Sequence, residues 1–173
     1  MNMEKVNSVD FGDFVEVFGN VIERCPLAAA AVRSQRPFSD LEDLEKHFCT
    51  FIDALPRSGQ EGILRCHPHL AGRELQRGTL AAESQREQSA AGLQNPGTDE
   101  RRRLAKLNAQ CRARFGFPFV LVARLRDPAV VARELERRLR CPPAQELRTA
   151  LGEVKTIGRL RLADLLGADC ARL

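Results

Sequence analysis

The sequence predicts an all-α fold, a single compact multi-helix domain of about seven to nine helices spanning residues 1–173. Three observations carry that expectation. Apolar residues recur at helical spacing through nearly the whole chain. The breaks between these runs carry helix-capping signals. The one strand-like run, Val120-Leu121-Val122-Ala123, is too short to build a sheet. A chain of about 150 residues already buries roughly 70% of its unfolded surface, so 173 residues suffice for a real core.

Each element follows in order. Phe11, Phe14, Val15 and Phe18 stand at i, i+3, i+4 and i+7, with Gly19 placed to close the helix. Pro26 opens an alanine-rich helix that ends before Arg36-Pro37-Phe38. Ser39-x-x-Glu42 reads as a capping box for a helix with the stripe Leu41, Leu44, Phe48, Phe51, Ile52 and Leu55. Ser58-x-x-Glu61 reads as a second one, and its helix must stop near His67 because Pro68 disfavours helical geometry in the residue before it. A loop containing Gly72 and Gly78 leads to Thr79, an expected N-cap for a helix to about Ala91. Asn95-Pro96-Gly97 breaks the chain, and Thr98 starts a helix carrying Leu104, Leu107 and Cys111. Phe115-Gly116-Phe117-Pro118-Phe119 forms an aromatic turn. Asp127-Pro128 begins a helix to about Arg140, and Cys141-Pro142-Pro143 precedes a long last helix with Leu147, Leu151, Val154, Leu162 and Leu165.

Composition narrows the function. No stretch approaches the ~20 apolar residues needed to cross a bilayer, and the N-terminus has no signal-peptide apolar centre, so a soluble, cytosol-made chain with no membrane partner is expected. Basic residues outnumber acidic ones 27 to 23, and all but four are arginine. Trp and Tyr, the usual stacking platforms for single-stranded nucleic acid, are absent. Arg101-Arg102-Arg103 and Arg137-Arg138 sit beside glutamates on expected helices, so they read as solvated faces and no nucleic-acid partner is expected. Six cysteines (25, 49, 66, 111, 141 and 170) form no C-x-x-C pair and no zinc spacing, so no metal site is expected.

Three features fit structure alone poorly. His67-Pro68 lies at a helix-to-loop junction, where a histidine either complements the helix dipole or serves as a general acid or base. Ser84, Glu87 and Gln88 share one helix face, flanked by Ala81 and Ala91 rather than by leucines. Such a face meets either solvent or a pocket wall. Arg161 shares a face with Val154, Ile157, Gly158 and Leu165, so its guanidinium needs an anion, either a structural carboxylate or a substrate carboxylate.

The ordered set His67-Pro68-x-Leu70-Ala71-Gly72, Ser84-x-x-Glu87-Gln88 and Asn108-x-x-x-x-x-Arg114-Phe115-Gly116-Phe117-Pro118-Phe119, with Arg161-Leu162 in the last helix, resembles the family of 2-oxo-4-hydroxy-4-carboxy-5-ureidoimidazoline (OHCU) decarboxylases in its vertebrate form. The resemblance implies an all-helical homodimer without cofactor that forms (S)-allantoin in urate degradation. It also implies roles for individual residues. His67 is the catalytic acid/base, and Glu87 assists proton transfer. Pro68 lines the pocket, and Ser84, Gln85, Arg86 and Gln88 contact the substrate. The backbone of Phe119, Val120, Leu121, Val122 and Ala123 hydrogen-bonds the ureido and ring groups, and Arg161 holds an anionic or carbonyl oxygen. Ala171-Arg172-Leu173 matches the small–basic–Leu peroxisomal address, implying a peroxisomal location and an import receptor as partner.

Three positions depart from the family pattern. His69 stands where aspartate is usual, Cys111 where tyrosine is common, and Arg33 where a large apolar residue is expected. They motivate an alternative, a folded relative with little or no activity and a vestigial or binding role.

Overall fold

A computed structural model describes residues 1–94, 97–125 and 127–167. The expected Asn95-Pro96 break and the Ala171-Arg172-Leu173 tripeptide therefore lie outside the described residues. The fold is all-α, with ten α-helices and no strand among the described residues. Two short helices raise the number above the sequence expectation. Six-residue α1 (Met3–Ser8) and five-residue α6 (Arg73–Arg77) are too brief to show a helical apolar period.

The chain divides into two compact units, the first formed by Met1–Ile63 with the chain from Lys155 onward, the second by Leu64–Val154. In the first, α1 is followed by α2 (Phe11–Phe18), α3 (Pro26–Arg33), α4 (Leu41–Ala54) and the start of α5 (Arg57–Arg65). Helix α2 packs on α3 and α3 on α4. The buried stripes are Phe14 and Phe18 of α2, Val32 of α3, and Leu44, Phe48 and Ile52 of α4. Ahead of α4, Asn7 grips Phe38 from both sides. Its Nδ2 donates to the Phe38 carbonyl at 2.9 Å and its Oδ1 accepts from the Phe38 amide at 2.8 Å. Arg33 replaces apolar bulk with a stacked guanidinium 5.6 Å from the Phe11 ring centre, its Nη2 donating to the Val9 carbonyl.

Several caps differ from those read in the sequence. Helix α4 is capped by Asp40, whose Oδ1 accepts from the Asp43 amide, while the Asp43 carboxylate accepts from the Ser39 amide. This is the reciprocal logic of a capping box moved one residue along, with a stronger anionic acceptor at the cap than the Ser39 hydroxyl. Helix α5 begins at Arg57, which places Ser58 inside its first turn. Thr79 does not hold the N-cap position of the next helix, which belongs to Ala81; its Oγ1 donates to the Glu74 carbonyl.

The second unit contains α6, α7 (Ala82–Ala90), α8 (Thr98–Phe115), a 3-10 turn (Ala123–Leu125), α9 (Pro128–Leu139) and the first half of α10 (Pro143–Leu166). Helix α8 packs on α9 around Leu75, Leu93, Leu104, Cys111, Val131 and Leu135. It ends at Gly116, whose φ of 78° is the left-handed geometry that glycine adopts without a Cβ clash. Asp127 caps α9 by accepting from the Val130 amide at 3.0 Å.

Among the described residues, a buried ion pair stands out in each unit. In the first, Arg161 Nη1 lies 2.8 Å from Glu23 Oε2, with 3% and 0% of the two side chains exposed. In the second, Arg138 and Glu146 are each 1% exposed. Arg138, which the sequence places on a solvated face, is instead the largest fully buried side chain among the described residues, while Arg137 beside it is exposed and pairs with Glu134 on its own helix. Removing one partner of such a pair strands a charge in the interior. Glu23→Ala is therefore expected to lower unfolding stability by about 3–5 kcal/mol in urea titrations, whereas Glu23→Leu combined with Arg161→Met stays close to wild type. Equal losses in the two proteins would refute this account.

Candidate active site

The second unit brings together most of the residues singled out in the sequence. His67 lies two residues beyond the end of α5, its amide donating to the Leu64 carbonyl at 3.1 Å, and only 9% of it is exposed. The chain after Pro68 turns sharply: the Gly72 amide donates to the His69 carbonyl, and Ala71 holds a φ of 53°. That left-handed geometry is unfavourable for alanine, so surrounding contacts must impose it. Two buried amide side chains do so. Gln88 Oε1 on α7 accepts from the Ala71 amide at 2.9 Å, and Asn108 Nδ2 on α8 donates to the Leu70 carbonyl at 3.0 Å. The loop that bears His67 and Pro68 is thereby tied to two helices.

Helix α7 carries Ser84 and Gln88 inward, 5% and 3% exposed, with Glu87 partly buried beside them. The polar face of this helix is thus an interior wall, and the solvent alternative is overturned for Ser84 and Gln88. Gln85 donates from Nε2 to the Leu75 carbonyl at 3.4 Å, and Arg86 lies on the exposed side of the helix. Helix α7 also packs on the 3-10 turn, where Arg124 Nη2 stands 4.0 Å from Glu87 Oε1. Sequence reasoning assigned Arg124 no role; its only signal was its place directly after the Phe119–Ala123 run.

That run is irregular backbone, and its five residues are between 1% and 6% exposed. Among the described residues, no backbone–backbone hydrogen bond outside the helices involves Phe119–Ala123. Buried peptide groups need partners, and here side chains supply two. Arg138 Nη1 donates to the Val120 carbonyl at 2.8 Å, and Glu153 Oε2 accepts from the Val122 amide at 3.1 Å. Arg138, Glu146 and Glu153 were not among the expected site residues. Arg161 belongs to the first unit, where its anion is the structural carboxylate of Glu23 and its Nη1 also donates to the Asn20 carbonyl at 2.7 Å.

Two departures from the family pattern have local consequences. The Cys111 thiol is pushed up to about 12, chiefly by burial and then by the nearby Glu146 carboxylate, against a smaller opposing effect of Arg138. It stays protonated as a small core residue. The His69 imidazole is pushed below its usual value by partial burial and then by Arg112, with Glu74 opposing.

A folded-state value below the unfolded one means that the unfolded chain binds more protons at His69 in the window just below about pH 6.5. The stability contributed by the neutral imidazole is full above that pH and is lost as pH falls through it. His69→Gln is expected to flatten this dependence, read as melting temperature against pH between about 5 and 7.5. Parallel curves for the two proteins would exclude His69 as the source.

Comparison with known proteins matches the chain to a family. A model of the OHCU decarboxylase family matches residues 7–163. The Mus musculus 2-oxo-4-hydroxy-4-carboxy-5-ureidoimidazoline decarboxylase is 74% identical over 168 residues, covering 97% of this chain and 94% of its own. The fold is shared with a crystal structure of (S)-allantoin synthase (TM-score 0.78, 19% identity, 96% of this chain and 54% of that one). It is also shared with OHCU decarboxylase crystallised in the presence of (S)-allantoin (TM-score 0.69, 19% identity, 91% and 99%). With the family model spanning both units and a mammalian relative identical at three positions in four along nearly the full length, the chain belongs to the OHCU decarboxylase family.

Proposed function

We propose that the protein decarboxylates OHCU to (S)-allantoin and CO2 in urate degradation, acting as a carboxy-lyase without a cofactor. The observation that carries the reading is the fastening of the His67 loop to α7 by Gln88, on the helix that also presents Ser84 and Glu87. Family membership supports the substrate.

The chemistry asks little of the protein. In OHCU the carbon bearing the hydroxyl and carboxylate adjoins a ring imine. When the carbon–carboxylate bond breaks, its electron pair forms a double bond to the imine carbon, whose own π electrons move onto nitrogen. CO2 leaves, the nitrogen takes a proton from solvent, and an enol remains. The enol loses its hydroxyl proton to become a carbonyl, and the former imine carbon takes a proton on one face to give (S)-allantoin. His67 accepts and moves the hydroxyl proton, Glu87 assists the transfer, and Ser84, Gln85, Arg86 and Gln88 orient the substrate beside Pro68. The peptide groups of Phe119–Ala123 that side chains leave open hydrogen-bond the ureido and ring atoms. Selecting one face for protonation separates this reaction from the spontaneous one, which yields racemic allantoin.

Generating OHCU in situ with urate oxidase and hydroxyisourate hydrolase should give a fast, protein-dependent (S)-allantoin signal in circular dichroism. His67→Ala and Glu87→Gln are expected to keep the fold and reduce turnover by roughly 10²–10⁴-fold. A folded wild-type protein no faster than background would defeat the decarboxylase reading, and wild-type rates in the variants would defeat the role assignment.

We further infer a peroxisomal location and an import receptor as partner, supported by Ala171-Arg172-Leu173, together with assembly as a homodimer, supported by family resemblance. Deleting the tripeptide should move a fluorescent fusion from peroxisomes to cytosol, and sedimentation should give twice the 19.3 kDa chain mass. Unchanged localisation would overturn the address, and a monomer would overturn the assembly.

A further inference from the structure

We propose that Arg138, with Glu146, and Glu153 are positioning residues of the decarboxylation, fixing which backbone groups of Phe119–Ala123 face the substrate; this rests on the function proposed above. The segment is buried yet belongs to no helix until Ala123, so nothing in regular secondary structure sets its peptide planes. Two side-chain bonds set them instead, one on the Val120 carbonyl and one on the Val122 amide, two residues apart. The two bonds hold the consecutive peptide groups that meet at Leu121, so the Leu121 amide and carbonyl, the other polar atoms of those two planar groups, are fixed in orientation.

The spacing on α10 explains how both bonds arise from one element. Glu146 and Glu153 are seven residues apart, two helical turns, so their carboxylates leave the same face. Glu153 reaches the segment directly. Glu146 reaches it through Arg138, whose Nε lies 3.0 Å from both carboxylate oxygens and whose Nη2 lies 2.6 Å from Oε1. The remaining nitrogen, Nη1, is aimed at the Val120 carbonyl, and the guanidinium carbon sits 4.3 Å from the Phe119 ring centre. A planar guanidinium held along one edge and across one face cannot swivel, which is what a fixed donor requires and what a lysine ammonium would not provide.

The test separates positioning from stability. Arg138→Met with Glu146→Leu removes both buried charges together and is expected to fold with a melting temperature near wild type. Its kcat/KM for OHCU should nonetheless fall by roughly 10–100-fold, as for displaced substrate-orienting groups. After subtraction of the spontaneous background, its allantoin should also be less enantiomerically pure. A purely structural role would move melting temperature and leave the handedness of the product untouched. Should the double variant fail to fold, Glu153 decides. Glu153→Gln keeps an acceptor for the Val122 amide and should stay within about twofold of wild type, while Glu153→Leu should lose both rate and enantiomeric purity. Active wild type with insensitive Glu153→Leu, or a folded double variant of wild-type rate and purity, would overturn the positioning role alone. Folded wild type without turnover would overturn the decarboxylase reading and this inference with it.

Discussion

The arrangement of the second unit depends on one buried ion pair. Arg138 and Glu146 are almost fully withdrawn from water, a placement whose desolvation cost is several kcal/mol per ion unless every polar atom finds a partner. The fork on Glu146 and the bond to Val120 together engage Nε, Nη1 and Nη2. The pair thus joins α9, the first half of α10 and the buried segment between α8 and α9. An apolar pair of similar volume would fill the space as well, but it would leave the Val120 carbonyl without its donor. Stability is thus a weak reason for the pair, and backbone placement is a stronger one.

The same logic recurs around His67. A helix satisfies its own peptide groups, so irregular chain that must be buried draws its partners from side chains. Gln88 and Asn108 serve the loop after His67, while Arg138 and Glu153 serve the segment after Phe119. Asn108 and Arg138 sit among apolar inward positions of α8 and α9, whereas Gln88 shares the inward face of α7 with Ser84. The helices are rigid and the loops are not, so the precision of the site comes from the helices through single hydrogen bonds. The left-handed Ala71 shows the constraint directly: alanine is held in a conformation that it does not prefer by partners on both polar atoms of the peptide group that precedes it.

Much of this was legible in the sequence. The long helices were, because their apolar period survives over several turns, and Pro26, Asp127-Pro128 and Pro143 marked three of their starts. Caps were legible only to within a residue or two: Asp40 takes the place of Ser39, and Ala81 rather than Thr79 precedes α7. Helices α1 and α6 left no periodic trace. Ser84 and Gln88 stood out because a face without leucine is unusual, yet whether it met water or the interior depends on what packs against it. Arg138 was illegible for a sharper reason. Beside Arg137 and within reach of Glu134, it has the local surroundings of a surface arginine; its partner Glu146 lies on the next helix, and only the turn at Cys141-Pro142 folds it back. Long-range partners of charged residues are what a one-dimensional pattern omits.

The three departures from the family pattern can be weighed by where they sit relative to these fastenings. Arg33 lies in the first unit, stacked on Phe11 and bonded to the Val9 carbonyl, so its guanidinium takes the place of apolar bulk. Cys111 is a protonated thiol in the apolar cluster, its Sγ 4.0 Å from the Phe117 carbonyl. Neither side chain takes part in the bonds that hold Ala71, Leu70, Val120 or Val122. Position 69 is different in kind. It adjoins Pro68 and supplies the carbonyl that closes the turn, but that carbonyl belongs to the backbone and is indifferent to the side chain. What aspartate would add there is a negative charge, and what histidine adds is an imidazole whose pKa is pushed below its usual value by partial burial and then by Arg112. The case for a relative with little activity therefore narrows to the charge at position 69, because the fastening of the loop is intact.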